Sequence, residues 1–176
     1  MKASTSTWTV AAVLLAACGG DDGNGADAGP PELGKLFINE VMPSNATGCT
    51  DIVGEFDDWI ELYNSGGNEI SLAGFTITDD FTMPTKVTLT ADLKVPAHGY
   101  LLLWADDQVQ GLDHLAFKLN AGGEAVTLFP AAGAMLDTFA WSNSVTDQSY
   151  ARVPDGTGAF AACAAPTCGA TNRCTP

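Results

Sequence analysis

From Leu36 onward the sequence is a succession of short runs of strand-forming residues, each ended within a few positions by turn chemistry, and no apolar period of helical length develops. That punctuation excludes parallel α/β folds, which need crossover helices between their strands. The runs are Leu36 to Val41, Trp59 to Tyr63, Phe75 to Thr78, Lys86 to Leu89, Tyr100 to Trp104, Leu115 to Leu119, Ala125 to Phe129, Leu136 to Trp141 and Tyr150 to Val153. Pro, Gly, Asn and Asp fill the gaps, as in Pro96-Ala97-His98-Gly99 and Asn120-Ala121-Gly122-Gly123. Eight or nine short strands at this spacing predict an all-β sandwich of two antiparallel sheets. Tyr100 to Trp104 is apolar on both faces, which predicts a central strand with one side beneath a long loop.

The clearest alternation lies in Phe56-Asp57-Asp58-Trp59-Ile60-Glu61-Leu62-Tyr63-Asn64. Ile60 and Leu62 share one strand face, which is core; Trp59, Glu61 and Tyr63 share the other. An aromatic pair flanking a carboxylate either packs under a neighbouring strand or stands exposed as a platform for sugar rings or a partner protein. Large aromatics usually fill cores, so packing is the expected role of Trp59, with a Trp59 and Tyr63 platform as the functional alternative.

Seven Lys plus Arg against 21 Asp plus Glu give a formal charge of −14. Such a surface repels phosphate backbones, so nucleic acid is not an expected partner. The acidic loop Thr50 to Asp58 gathers Asp51, Glu55, Asp57 and Asp58, hard oxygen donors of the kind calcium takes, although their spacing is no recognised motif and a solvated acidic loop reads the same way. The solvated loop is the expected reading, so no cofactor is called for, with calcium as the alternative.

Residues 1–17 carry one basic residue, Lys2, and a short apolar run from Val10 to Ala17, too short to span a bilayer as a mature helix and typical of an export signal. The end of that run, Leu15-Ala16-Ala17-Cys18, resembles the lipobox of bacterial lipoproteins, which implies cleavage before Cys18 and acylation of its thiol. Several acyl chains give stable attachment, making the membrane a partner through the anchor. Gly19 and Gly20 follow with no Asp next to the cysteine; by the same resemblance this favours the outer membrane in a Gram-negative host. Residues 18–35 are rich in Gly, Asp and Pro and form a solvated spacer, which leaves 36–176 as one domain.

Five cysteines are present, and lipidation of Cys18 leaves Cys49, Cys163, Cys168 and Cys174 to pair in an oxidising compartment. Three connectivities are open. Cys49 must join one of the three clustered at the C-terminal end; Cys49 with Cys163 and Cys168 with Cys174 is the expected pairing, and zinc ligation is the alternative.

The segments Leu36-Phe37-Ile38-Asn39-Glu40-Val41, Asp58-Trp59-Ile60-Glu61-Leu62-Tyr63-Asn64 and Ile70-Ser71-Leu72-Ala73-Gly74-Phe75 together resemble the opening of a lamin tail domain. Val95 to Asp106, Leu119 to Phe129, Ser149 to Gly156 and Pro166 to Asn172 resemble its later segments in order, so the resemblance covers about residues 36 to 172. It implies an immunoglobulin-like β-sandwich acting as an interaction module with no established catalytic residues. Cys168 stands where the bacterial tail usually has Pro, and Cys163 and Cys174 look like additions, which suggests a stapled C-terminus.

No Gly-x-Ser-x-Gly elbow is present, and neither His98 nor His114 has a Ser or Cys nucleophile in a recognisable setting. The sequence therefore reads as a non-catalytic binding or structural module, displayed on the cell surface or in the periplasm by a lipid anchor. A calcium-dependent adhesion or carbohydrate-binding module is the alternative.

Overall fold

The computed structural model describes residues 35–108 and 110–174. It is built of twelve strands: β1 (Leu36–Met42), β2 (Trp59–Asn64), β3 (Ile70–Ser71), β4 (Thr76–Thr78), β5 (Val87–Thr88), β6 (Lys94–Val95), β7 (Tyr100–Ala105), β8 (His114–Leu115), β9 (Gly123–Phe129), β10 (Asp137–Ser142), β11 (Ser149–Val153) and β12 (Ala159–Cys163). Among the described residues there is no α-helix. A six-stranded sheet in the order β12-β11-β1-β2-β7-β8 faces a four-stranded sheet in the order β10-β9-β4-β5, and β3 pairs with β6 as a small third sheet.

Alternation places one side chain in two on the buried face, and the two sheets meet through those positions. Ile38, Ile60, Leu62 and Leu103 of the larger sheet join Ile77, Val126, Leu128 and Trp141 of the smaller one in a single core. Strand β1 does this only with an irregularity. Ile38 pairs with Leu62 and Glu40 with Glu61, so Asn39 is an extra residue on that strand. This bulge lets Ile38 and Val41, three positions apart, both point inward and turns Glu40 outward. A clamp holds the bulge: Asp137 Oδ2 accepts from the Ile38 N–H at 2.9 Å while Arg152 Nε donates to the Ile38 carbonyl at 2.9 Å. The same guanidinium reaches Asp137 at 3.0 Å and lies over the Phe160 ring, tying the edges of the two sheets together.

Three expectations change. Twelve strands replace eight or nine, because two-residue ladders such as β3 and β6 are too short to show alternation and β12 is mostly Ala, a weak strand former. The run Leu115 to Leu119 contributes only His114–Leu115, and that short strand pairs parallel to β7, so the larger sheet is not purely antiparallel. The disulfides join Cys49 to Cys168 and Cys163 to Cys174, not Cys49 to Cys163 and Cys168 to Cys174. Cys163 ends β12 on the far edge of the sheet, whereas Cys49 belongs to the β1–β2 loop near its centre; only the returning tail brings a sulfur there.

The Cys49–Cys168 bridge spans 119 residues and closes nearly the whole domain. Replacing both cysteines by Ser is expected to lower stability by roughly 2–4 kcal/mol. Urea denaturation measures it, and an unchanged midpoint contradicts the assigned bridge.

Candidate functional site

The outward face of β1, β2 and β7 carries three cross-strand rows. The first is Met42, Trp59 and Trp104; the second is Glu40, Glu61 and Leu102; the third is Phe37, Tyr63 and Tyr100. The irregular C-terminal segment after β12 lies across all of them. Cys49 and Cys168 pack on the first row, where Met42, Trp59 and Trp104 form a cluster of their own. Trp59 is therefore fully buried, and the Trp59 and Tyr63 platform is not available; Tyr63 is half-buried against Tyr100, with ring centroids 4.9 Å apart. The expected covering of one side of Tyr100 to Trp104 is found, and its source is the tail.

The second row sets two acidic side chains opposite one another, both with no exposed surface. Like charges across a ladder repel, and burial disfavours ionisation further. The tail, β11 and the β1 bulge answer with donors. Thr167 Oγ1 lies 2.9 Å from Glu40 Oε2, Ser149 Oγ donates to Glu40 Oε1, Asn39 Nδ2 reaches Glu61 Oε1 at 2.9 Å, and the Gly169 N–H reaches Glu61 Oε2 at 2.6 Å. Burial still wins, pushing Glu61 up to about 8 against the bonds from Asn39 and Gly169, and Glu40 is raised for the same cause. Asp155 extends the network: it accepts from Asn39 Nδ2 at 3.1 Å, from Asn172 N–H at 3.1 Å and from the Tyr100 hydroxyl at 2.7 Å. Burial, with the bond to Asp155 adding, holds that phenol up at about 12. Gly156 completes the corner at φ 72°, where an added Cβ would meet Phe37 at 2.8 Å, so only glycine fits. These groups are hydrogen-bonded to one another, Glu40 and Glu61 fully buried and Tyr100 and Asp155 half-buried at the margin.

The acidic loop is different. Asp51, Glu55 and Asp57 converge, with one carboxylate oxygen of each within 4.8 Å of the others. A tight loop arranges this: Asp51 Oδ1 accepts from the N–H groups of Val53 and Glu55 at 3.0 and 2.8 Å, which turns Oδ2 the other way. Burial, with Asp106, Glu55 and Asp51 nearby, raises the Asp57 carboxyl. Asp58 does not join them. Its Oδ1 accepts from the Asn45 N–H at 3.0 Å, anchoring the preceding loop, and burial pushes it up to about 6. The sequence reading missed His114, which is buried behind the cluster with Nδ1 on Asp106 and Nε2 3.8 Å from Asp51 Oδ2. Nothing in the spacing of Asp51, Asp106 and His114 announces this; the parallel β7–β8 pairing creates it. His98, in contrast, is exposed in its turn. Cys18 and the rest of residues 1–34 lie outside the described residues.

The raised carboxyls set a pH dependence. Glu61 moves from its ordinary 4.5 to about 8 on folding, so its contribution is complete below about 4.5 and is lost as pH rises through about 8. Asp58 acts likewise between 3.8 and about 6. Stability is expected to fall with rising pH across that window, by about 1.4 kcal/mol per pH unit for fully buried Glu61 and by less for half-buried Asp58, where solvent screens the charge. Thermal melts from pH 5 to 8 measure the fall, and Glu61→Gln is expected to flatten it above pH 6; a flat profile in the parent protein contradicts the burial of these acids.

A family model described as the lamin tail domain matches residues 30–143. No curated protein sequence matches the chain. The matched stretch ends just after β10, so β11, β12 and the disulfide-linked tail lie beyond it. That family's domain is immunoglobulin-like and non-enzymatic, in agreement with the all-β sandwich. With the greater part of its length matched, the chain belongs to the lamin tail domain family.

Proposed function

We propose that this chain is a lipid-anchored, non-catalytic display module whose contact surface is one end of the sandwich. The observation that carries the reading is polarity along β1. The chain enters that strand at Leu36 and leaves it at Met42, and the loops gathered beyond Met42 expose large apolar side chains. Ile52 is 96% exposed, with Val53 and Phe56 beside it on the β1–β2 loop. Leu112 and Val145 stand on two loops hydrogen-bonded to it, through Gln110 to Glu55 at 2.7 Å and through Asp147 to Ala46 at 2.7 Å. Exposed apolar side chains gathered in this way are the usual mark of an interaction site.

An anchor at Cys18 would hold the opposite end. A spacer over residues 18–35 gives the sandwich reach, and about 20 Å of strand separates its point of attachment from the loop end. The lipobox-like Leu15-Ala16-Ala17-Cys18 supports acylation, and Gly19 in place of Asp immediately after the cysteine supports the outer membrane of a Gram-negative cell. The partner is a protein or glycan of the cell envelope. The calcium-dependent adhesion alternative draws support from Asp51, Glu55 and Asp57, which belong to the same loop end; a glycan platform on Trp59 has lost its basis with the burial of that ring.

Metabolic labelling with a palmitate analogue tests the anchor. Label on the parent chain and none on Cys18→Ala is the expected result, and an unlabelled parent chain contradicts it. For the contact surface, the combined substitution of Ile52, Val53 and Phe56 by Ser is expected to reduce retention on envelope fractions about tenfold without lowering the melting temperature, since these side chains bury little in the free protein. Undiminished retention would place the contact elsewhere.

A further inference from the structure

Strand β12 (Ala159–Cys163) ends the six-stranded sheet, and its backbone groups can be followed outward. Asn172 Nδ2 donates to the Asn39 carbonyl at 3.2 Å and to the Arg152 carbonyl at 3.0 Å, so the Arg152 carbonyl points toward β1. In an antiparallel pair, facing residues either both bond across the ladder or both turn away from it. Phe160, which faces Arg152, and Ala162, which faces Tyr150, therefore direct their N–H and C=O groups away from β11. Among the described residues, no backbone group outside β11 pairs with β12.

Such an edge is a template for another strand, and proteins ordinarily blunt it with charge, proline, a bulge or brevity. Elsewhere this domain does so: β3, β5, β6 and β8 have two residues each, and β10 carries Asp137. Strand β12 has none of these devices. It reads Ala-Phe-Ala-Ala-Cys with an unbroken ladder to β11, and from Gly156 to Asn172 the sequence has no charged residue. Ala159, Ala161 and Ala162 are exposed, and exposed Val153 flanks them. Behind them Phe160 meets Phe139 of β10, the last strand of the smaller sheet, with ring centroids 3.8 Å apart and both rings half-buried.

An edge left unblunted needs an occupant present wherever the chain is, and charge narrows the choice. At a formal charge of −14, two copies repel wherever their acidic surfaces meet, and this neutral strip is where they can approach. A basic partner would find no acid on it to pair with. The strip is also self-complementary. A two-fold axis at Ala161 sets Phe160 of each copy opposite Ala162 of the other, so the outward N–H and C=O groups satisfy one another, and alanine against alanine lets the strands close to ladder distance.

We propose that β12 pairs antiparallel with β12 of a second copy about a two-fold axis at Ala161, joining the two six-stranded sheets edge to edge. The pairing goes beyond the display reading and does not rest on it, since it uses a different side of the sandwich. It points the two loop ends in opposite directions and leaves both open. A spacer over residues 18–35, at up to about 3.3 Å per residue, outreaches the strands of the sandwich, so both anchors can enter one membrane.

The test uses untagged full-length protein in mild detergent, with micelles in large excess over chains so that two anchors rarely share one by chance. Sedimentation equilibrium is expected to report a dimer at micromolar concentration. Ala161→Lys and Ala161→Glu each set like charges opposite one another at the axis and are each expected to weaken the dimer about tenfold or more; mixing the two is expected to restore it as a heterodimer. Ala162→Pro removes an N–H that points away from β11, so the same weakening is expected with the β11 ladder intact, and this variant reports even where a charged one fails to fold. Hydrogen exchange is expected to show the Phe160 and Ala162 amides protected in the parent and fast in Ala161→Lys. A monomeric parent, an undiminished dimer in Ala161→Lys or Ala162→Pro, or no recovery in the mixture would each overturn the proposal. So would a monomer with protected Phe160 and Ala162 amides, which would give the edge to another segment of the same chain.

Discussion

Two buried acids facing each other across the β1–β2 ladder, Glu40 and Glu61, are the constraint around which the outer half of this domain is built. A sandwich usually leaves the outward face of its central strands to solvent. Here that face carries carboxyls between rows of aromatic side chains, and the chain returns from β12 to cover them with Thr167, Gly169 and Asn172. The Cys49–Cys168 bridge holds this cover over Trp59 and Trp104. Without the cover, both acids would regain water and lower pKa values, while the tryptophans would lose their packing. Burial of the acids and closure of the tail are therefore one event.

Much of this was legible in the sequence. Ile60 and Leu62 on the core face follow directly from alternation, and the doubly apolar run Tyr100 to Trp104 correctly called for something above it. What covers it was not legible, because Pro166 to Cys174 has neither apolar periodicity nor length; its role depends on backbone donors such as the Gly169 N–H, which no side chain reveals. The bulge at Asn39 hides in the same way. Read as a regular strand, Ile38 and Val41 fall on opposite faces, and only the three-dimensional clamp of Asp137 and Arg152 on Ile38 shows why both point inward. The disulfide pairing failed for a related reason: the path of the tail across the sheet sets Cys168 over Cys49 and leaves Cys174 to Cys163, which the spacing of the cysteines does not announce.

The acidic loop illustrates a partial success. Asp51, Glu55 and Asp57 were recognisable as a group from their types and proximity, yet Asp58, indistinguishable by those signs, is spent on the Asn45 backbone. The histidine beside them comes from a two-residue parallel strand that local pattern could not foresee. Chemistry and exposed apolar residues thus collect at the loop end of the sandwich, while the opposite end receives the chain from its N-terminal side. A covered face and an open end are the division of labour that the fold imposes.

The account turns on the tail being an integral layer of the domain. Native-state hydrogen exchange at the Gly169 amide, which donates to buried Glu61, measures this most directly. If the tail closes with the sandwich, that amide exchanges as slowly as those of the β1–β2 ladder, through global unfolding. Exchange at the rate of an unstructured loop, with the ladder still protected, would contradict it.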